Sequence, residues 1–180
     1  MRGQRNLPLN FVIWILDINL ESFNNMNQLT YNLSDLEPIL KRTLSEGGTF
    51  RFYPRGTSML PTIKEGRDQV LLTALPDKLK KYQIILYKRA DGTFVLHRIV
   101  KIKGDTYVMC GDNQQLLEYG ITREQMLAMV CGIVCEGKTI DPESGEQRRK
   151  AAIWEETRVL RKNVRHIRGC LSKIKHRMIR

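Results

Sequence analysis

The chain has 180 residues, of which 42% are hydrophobic, so it can bury the core of one ordinary domain but is too short for several. Its formal charge of +11 is concentrated at one end, because residues 148–180 hold 12 Lys or Arg and two Glu, a net +10, which leaves +1 for residues 1–147. This distribution excludes a protein that binds nucleic acid over its whole surface, and it directs any anionic partner to the C-terminal tail.

Residues 1–33 are predicted to be an N-terminal extension whose role stays open. The apolar run LPLNFVIWILDINL follows the basic start MRGQR, as in an export signal. It is shorter than the roughly 20 residues of a spanning helix, and Asp17 interrupts it. Three interpretations stay open for this extension: a weak membrane-associating segment, a strand or helix packed on the domain, or an extension upstream of a natural start at Met26. Without a convincing transmembrane span, the predicted localisation is cytoplasmic or peripheral at a membrane.

Residues 34–147 are predicted to form a mostly β domain that begins with one helix. Ser34 and Glu37 fit a capping box, and four apolar residues recur at helical spacing until Gly47: Leu36, Ile39, Leu40 and Leu44. Six strands are then predicted: TFRFYPR, DQVLLTA, QIILYKR, TFVLHRIVKI, TYVMC and MVCGIVCEG. The tight turns between them, rich in Gly and Asp, predict a curled antiparallel sheet.

Residues 148–180 are predicted to form a long basic amphipathic helix. Its apolar residues, from Ile153 to Met178, are alternately four and three positions apart, and the other faces are almost entirely basic. Such a helix suits an anionic membrane surface, a partner helix or nucleic acid. No aromatic-rich or other nucleic-acid motif accompanies it, which disfavours nucleic acid. The oligomeric state stays open, since the same apolar seam suits pairing and membrane contact.

Three separate segments carry residues capable of acid–base and nucleophilic chemistry. Ser58 lies in GTSMLPTI, directly after a predicted strand, and a serine there becomes a nucleophile only beside a base. His97 is the single histidine of residues 1–147, and a carboxylate at Asp112 or Glu118 would orient its ring. Alone, each has a plain structural explanation: a turn serine, a histidine in a half-buried strand, and a Gly-Asp-Asn turn.

Together the three segments resemble the conserved boxes of one family. GTSMLPT resembles the serine box of type I signal peptidases and of the related self-cleaving repressor peptidases. LHRIVKI resembles their second box, with His97 where bacterial signal peptidases commonly carry a lysine, as in the endoplasmic-reticulum and archaeal type. GDN resembles the third box. The order agrees, and the intervals of 39 and 15 residues between Ser58, His97 and Asp112 suit the core of that superfamily. The resemblance covers roughly residues 33–140.

This resemblance implies a serine endopeptidase that cleaves a polypeptide, with the signal-peptidase type of β fold. Ser58 would be the nucleophile and His97 the general base, with Glu118 or Asp112 as the acid. The Ser58 amide, with Gly56 and Thr57, would hold the oxyanion, and Met59 would line the substrate cleft. The alternative is a non-catalytic or self-cleaving regulatory protein that binds membrane or DNA through its tail. No cofactor and no metal site are predicted, because the four cysteines form no CxxC pair and the three histidines lack zinc-ligand spacing.

Overall fold

The computed structural model describes residues 10–12, 30–158, 160 and 161. Mostly antiparallel β structure with two short helices occupies this part of the chain, as the sequence predicts. The elements are β1 (Asn10–Val12), β2 (Thr30–Asn32), α1 (Leu33–Ser45), β3 (Phe50–Phe52), β4 (Gln69–Thr73), β5 (Ile84–Lys88), β6 (Phe94–Lys103), β7 (Thr106–Cys110), β8 (Glu118–Thr122), β9 (Met126–Cys135), β10 (Lys138–Ile140) and α2 (Gly145–Glu156).

The main sheet is open and has eight strands. Its neighbours run in the order β3, β4, β9, β5, β6, β7 and β8, and β10 also pairs with β9. Every pairing is antiparallel. The two strands β1 and β2 form a separate antiparallel pair, with Asn10 opposite Asn32. The rest of the predicted N-terminal extension lies outside the described residues.

The predicted helix is present but begins earlier than its capping pattern indicates. Since α1 starts at Leu33, Ser34 lies inside the helix rather than at its cap. Glu37 instead binds Lys41 and, at 2.8 Å, Lys88 on β5, which joins the helix to the sheet. Three of the four predicted apolar positions are buried (Leu36, Leu40 and Leu44), whereas Ile39 is exposed. The helix therefore covers the sheet with a narrower stripe than predicted.

Within the main sheet, the sequence analysis misses two strands, β8 and β10, while β1 and β2 lie in the N-terminal extension, where a strand was one of the open alternatives. The segment EYGIT forms β8 although Gly120 has a φ of +74°, a conformation that interrupts an ordinary strand pattern. The other missed strand, β10, is short and exposed. β3 ends at Phe52, six residues before Ser58, so the serine follows a longer loop than predicted. Glu118 is the first residue of β8 rather than part of a loop.

Both faces of the central strands are buried, so consecutive residues are buried along β5 and along the first seven positions of β6, including His97 and Arg98. On one face Phe94 and Leu96 pack beneath α1 with β3, β4 and β9. On the other, Val95 and Ile99 pack with Ile85 and neighbouring residues. Successive side chains of a strand point to opposite faces. His97 therefore shares a face with Val95 and Ile99, and Arg98 belongs to the opposite face.

The described start of the tail is helical, but its apolar seam does not pack on the sheet. Ala151 of α2 is buried and Trp154 is half-buried, whereas Ile153 and Leu160 of the predicted seam are exposed. The predicted tail helix after residue 161 lies outside the described residues. Within the described part of the chain, neither helix has the length and apolar character needed to cross a bilayer.

Candidate active site

Ser58 lies in a turn that is tied by its main chain to the Gly-Asp-Asn segment. Its carbonyl oxygen accepts a hydrogen bond of 2.8 Å from the Asn113 amide. The Asn113 side-chain amide donates at 3.1 Å to the carbonyl oxygen of Thr57. Asn113 thus holds two consecutive carbonyl groups of the loop, and the half-buried Ser58 is positioned by a segment 55 residues away in sequence.

Gly111 is the point where the serine loop and the histidine meet. A Cβ placed on Gly111 would lie 2.6 Å from the Ser58 carbonyl oxygen and 3.0 Å from Nε2 of His97. The first distance is shorter than real Cβ contacts and the second is tighter than most of them, so a side chain at position 111 would force the Ser58 main chain to shift. The Nε2 edge of the imidazole therefore faces the same small space as the Ser58 main chain.

The opposite nitrogen of His97 faces a carboxylate. Nδ1 lies 3.2 Å from Oε1 of Glu118, and it lies equally far from the hydroxyl of Tyr87. Arg89 binds the same carboxylate through two hydrogen bonds, of 2.7 Å from Nε and 2.5 Å from Nη2. His97 is 1% exposed, so its whole ring is almost closed to water.

The environment of Glu118 keeps it ionised. Burial alone raises the pKa of this carboxyl, but the hydrogen bonds from Arg89 and His97 outweigh it and lower the pKa from 4.5 to about 2. Burial, followed by the charge of Glu118, raises the pKa of the Tyr87 phenol well above its ordinary range. At neutral pH the group therefore contains a carboxylate, a guanidinium, a protonated phenol and the imidazole.

Of the two candidate acids, the structure brings Glu118 to His97 and engages Asp112 elsewhere. The Asp112 carboxylate accepts two hydrogen bonds from Arg98, of 2.8 and 2.7 Å, and a third from the hydroxyl of Thr62. Arg98 also donates to the carbonyl oxygen of Tyr82. The reason is the alternation along β6: His97 and Arg98 are consecutive and lie on opposite faces, so an acid bound to one is separated from the other.

The residues predicted to bind substrate have mixed outcomes. Met59 is 4% exposed and belongs to the apolar core beneath α1, so its side chain does not line a cleft, because burial in the core stabilises it more than exposure. The Gly56 amide already donates to the Glu65 carboxylate at 2.9 Å, which removes it as a ready oxyanion donor. Thr57 is exposed beside Ser58 and remains a candidate to hold the oxyanion.

Two residues of this group were absent from the sequence prediction. Tyr87 and Arg89 lie at the end of β5, where the pairing of Ile85 with His97 brings them to the histidine. A signal existed, since QIILYKR is an apolar run that ends in a tyrosine and an arginine. Without the strand pairing, however, nothing in the run indicates which side chain these two residues contact.

A cavity of about 500 Å³ lies on the other side of the Gly-Asp-Asn turn. Thr62, Arg98 and Asp112 line one wall, and residues of α2, including Trp154, line another. The Trp154 indole donates a 2.8 Å hydrogen bond to the carbonyl oxygen of Asp112, so α2 is fastened to the turn. In the described residues no group of three or more His, Cys, Asp or Glu side chains could hold a metal ion.

Neither a family model, nor a curated protein, nor a solved structure matches the chain.

Proposed function

We propose that this chain is a serine endopeptidase with a Ser58–His97–Glu118 active site. The observation that carries the proposal is the placement of the two edges of His97. Nδ1 lies 3.2 Å from the Glu118 carboxylate, and Nε2 packs on Gly111, beside the Ser58 main chain. An imidazole oriented by a carboxylate on one side and open to a serine on the other is the arrangement of an activated hydroxyl nucleophile.

In the proposed reaction the hydroxyl oxygen of Ser58 attacks the carbonyl carbon of the scissile peptide bond. Nε2 of His97 takes the hydroxyl proton, and the Glu118 carboxylate stabilises the imidazolium that forms. The imidazolium then gives the proton to the leaving amine, and an acyl-enzyme remains on Ser58. Water, deprotonated by the same imidazole, then attacks the ester carbonyl, and the imidazolium returns the proton to the Ser58 oxygen as the acid product leaves. The Ser58 amide is a donor for the oxyanion, with Thr57 beside it.

The sequence boxes support the same function from a separate direction. Ser58, His97 and the GDN turn resemble the three boxes of signal peptidases and repressor peptidases, and we infer the β fold of that superfamily for the open sheet. The resemblance also favours a polypeptide substrate with small residues at the cleavage site. Such a substrate would bind in extended form along a sheet edge.

Substitution of the two central residues tests the proposal. Ser58→Ala and His97→Ala are each expected to abolish cleavage of a model preprotein, because either change removes proton transfer from the nucleophile. Cleavage is followed by mass spectrometry of the products, which also identifies the bond. A matched control is Ser45→Ala, at the exposed end of α1.

Folding of each variant is checked by circular dichroism and by unfolding in urea. Full cleavage by folded Ser58→Ala or His97→Ala would overturn the assignment. Self-cleavage is separated from cleavage of another chain by varying the protein concentration, because an intramolecular rate does not depend on it.

We further propose that the basic tail, residues 148–180, holds the enzyme at an anionic membrane surface. Each Lys or Arg near such a surface contributes about 1 kcal/mol of binding. The exposed apolar side chains of Ile153 and Leu160 support this function, since in the described structure they do not pack on the sheet.

A further inference from the structure

We propose that Arg89 and Tyr87 are positioning residues that hold the proton of neutral His97 on Nδ1, so that Nε2 faces the serine loop as a proton acceptor. The role of this proton acceptor in cleavage rests on the proposed peptidase function. The location of the proton does not, because it follows from contacts within the folded chain.

The contacts at Nδ1 decide between the two tautomers of a neutral imidazole. A carboxylate accepts hydrogen bonds and does not donate them. Nδ1 lies 3.2 Å from Oε1 of Glu118, so this contact is a hydrogen bond only if Nδ1 carries the proton. With a bare Nδ1, two lone pairs would face each other in a nearly closed space. An ionised Glu118 therefore selects the Nδ1–H tautomer and leaves Nε2 without a proton.

Arg89 is the residue that keeps Glu118 in its accepting form. Its two hydrogen bonds reach both oxygens of the carboxylate, which fixes the orientation as well as the charge. The carboxylate also faces Tyr87, His97 and Cys110. Burial raises the pKa of the Cys110 thiol, and Tyr87 keeps its proton, so at neutral pH neither adds a negative charge. Without Arg89, Glu118 loses its strongest hydrogen-bond partner, while burial still raises the pKa of its carboxyl.

Tyr87 has two possible partners, and the charge on Glu118 selects between them. Its hydroxyl lies 3.2 Å from Nδ1 and also hydrogen-bonds with Glu118. While Glu118 is ionised and Nδ1 carries a proton, the phenol donates to the carboxylate. If the carboxylate is lost, the phenol can donate to Nδ1 and thereby favour the unproductive Nε2–H tautomer. Tyr87 thus supports the site only as long as Arg89 and Glu118 are in place.

The test is the tautomer of His97, measured by two-dimensional NMR on the full chain with ¹⁵N-labelled histidine. His97→Gln identifies the signals, because His166 and His176 also contribute. At a pH of about 7.5, we expect the chemical shift of a bare nitrogen at Nε2 and of a protonated nitrogen at Nδ1. A wild-type protein with the proton on Nε2 would overturn the proposal, and this measurement needs no substituted protein.

Three variants then separate the roles. Arg89→Gln is expected to raise the pKa of the Glu118 carboxyl from about 2 toward its ordinary 4.5. This pKa is measured from the ¹³C chemical shift of labelled glutamate as a function of pH. Glu118→Ala is expected to move the His97 proton to Nε2. The double variant Glu118→Ala with Tyr87→Phe is expected to show a smaller population of this Nε2–H tautomer. Arg51→Gln and Tyr119→Phe, at exposed positions, are the matched controls.

The outcomes distinguish this proposal from the peptidase assignment. An Nδ1–H tautomer in a protein that cleaves no peptide would support the positioning roles and contradict the peptidase. An unchanged Glu118 pKa in folded Arg89→Gln would contradict the role of Arg89 even if cleavage is found. If Arg89→Gln does not fold, Arg89→Lys keeps the charge but loses the bidentate geometry, and an intermediate rise of the Glu118 pKa is expected.

Discussion

At the scale of single residues, the two acidic candidates have different surroundings although both lie near the Gly-Asp-Asn turn. Glu118 faces a titratable ring, and its own pKa is lowered to about 2. Asp112 instead accepts two hydrogen bonds from the guanidinium of Arg98. Perturbed carboxyl groups beside a histidine are typical of functional sites, whereas a buried pair of Asp and Arg more often serves structure. Substitution of Glu118 is therefore expected to affect cleavage, and substitution of Asp112 is expected to affect stability.

Glu118→Gln is expected to lower kcat/KM for peptide cleavage about 10²- to 10⁴-fold, because the amide no longer stabilises the imidazolium. It also changes the dependence of stability on pH. Since the pKa of Glu118 is lower in the folded chain, its contribution is complete above about pH 4.5 and is lost as the pH falls through about 2.

Urea unfolding is measured between about pH 5 and pH 2, the range of this titration. The free energy of unfolding of the wild type is expected to fall over this range, and that of Glu118→Gln is expected to fall less. Glu46→Gln, which removes an exposed ion pair between Arg42 of α1 and the residue directly after the helix, is the control. An equally steep decline of the unfolding free energy in Glu118→Gln would contradict the assignment of the low pKa to this residue.

At the scale of elements, the Gly-Asp-Asn turn joins three parts of the fold that are distant in sequence. Asn113 holds the Ser58 loop, Asp112 binds Arg98 of β6, and Trp154 of α2 holds the Asp112 carbonyl. A turn that is fixed on three sides keeps the serine loop at a constant distance from the sheet. The turn therefore positions the Ser58 loop of the proposed site even though its carboxylate does not touch the histidine.

Asp112→Asn is expected to lower the free energy of unfolding by about 3–5 kcal/mol, because it leaves the Arg98 charge buried without its counter-ion. The Asp112 and Arg98 side chains are 4% and 6% exposed. The surface pair Lys150 and Glu146 provides the control, since Glu146→Gln is expected to leave the free energy of unfolding nearly unchanged. Unchanged stability together with abolished cleavage would instead place Asp112 in the chemistry.

At the scale of the whole molecule, charge is separated from the proposed site. Residues 1–147 carry +1 and residues 148–180 carry +10, so a negatively charged surface would attract the chain by its tail. The start of α2 nevertheless belongs to the folded domain, because Ala151 is buried and Trp154 is bonded to the turn. A test of the tail must therefore preserve α2.

Deletion of residues 162–180 removes seven Lys or Arg and leaves the described contacts of α2 intact. The full chain is expected to sediment with phosphatidylserine-containing vesicles and the shortened chain to remain in solution, because the electrostatic attraction scales with the number of basic residues. Pure phosphatidylcholine vesicles and added salt, which screens the attraction, are the controls. Equal sedimentation of both chains would contradict a membrane role for the deleted residues.

The sequence alone determined the mostly antiparallel β class, the short helix before it and the three segments with Ser58, His97 and the acidic residues. It did so because periodicity and turn residues are local properties of the chain. Which acid faces His97 was decided only by the tertiary structure. Strand alternation assigns His97 and Arg98 to opposite faces, and the pairing of β7 with the unpredicted β8 brings Glu118 to the face of the histidine. The partners of Tyr87 and Arg89 depend on the same pairings, which no single segment contains.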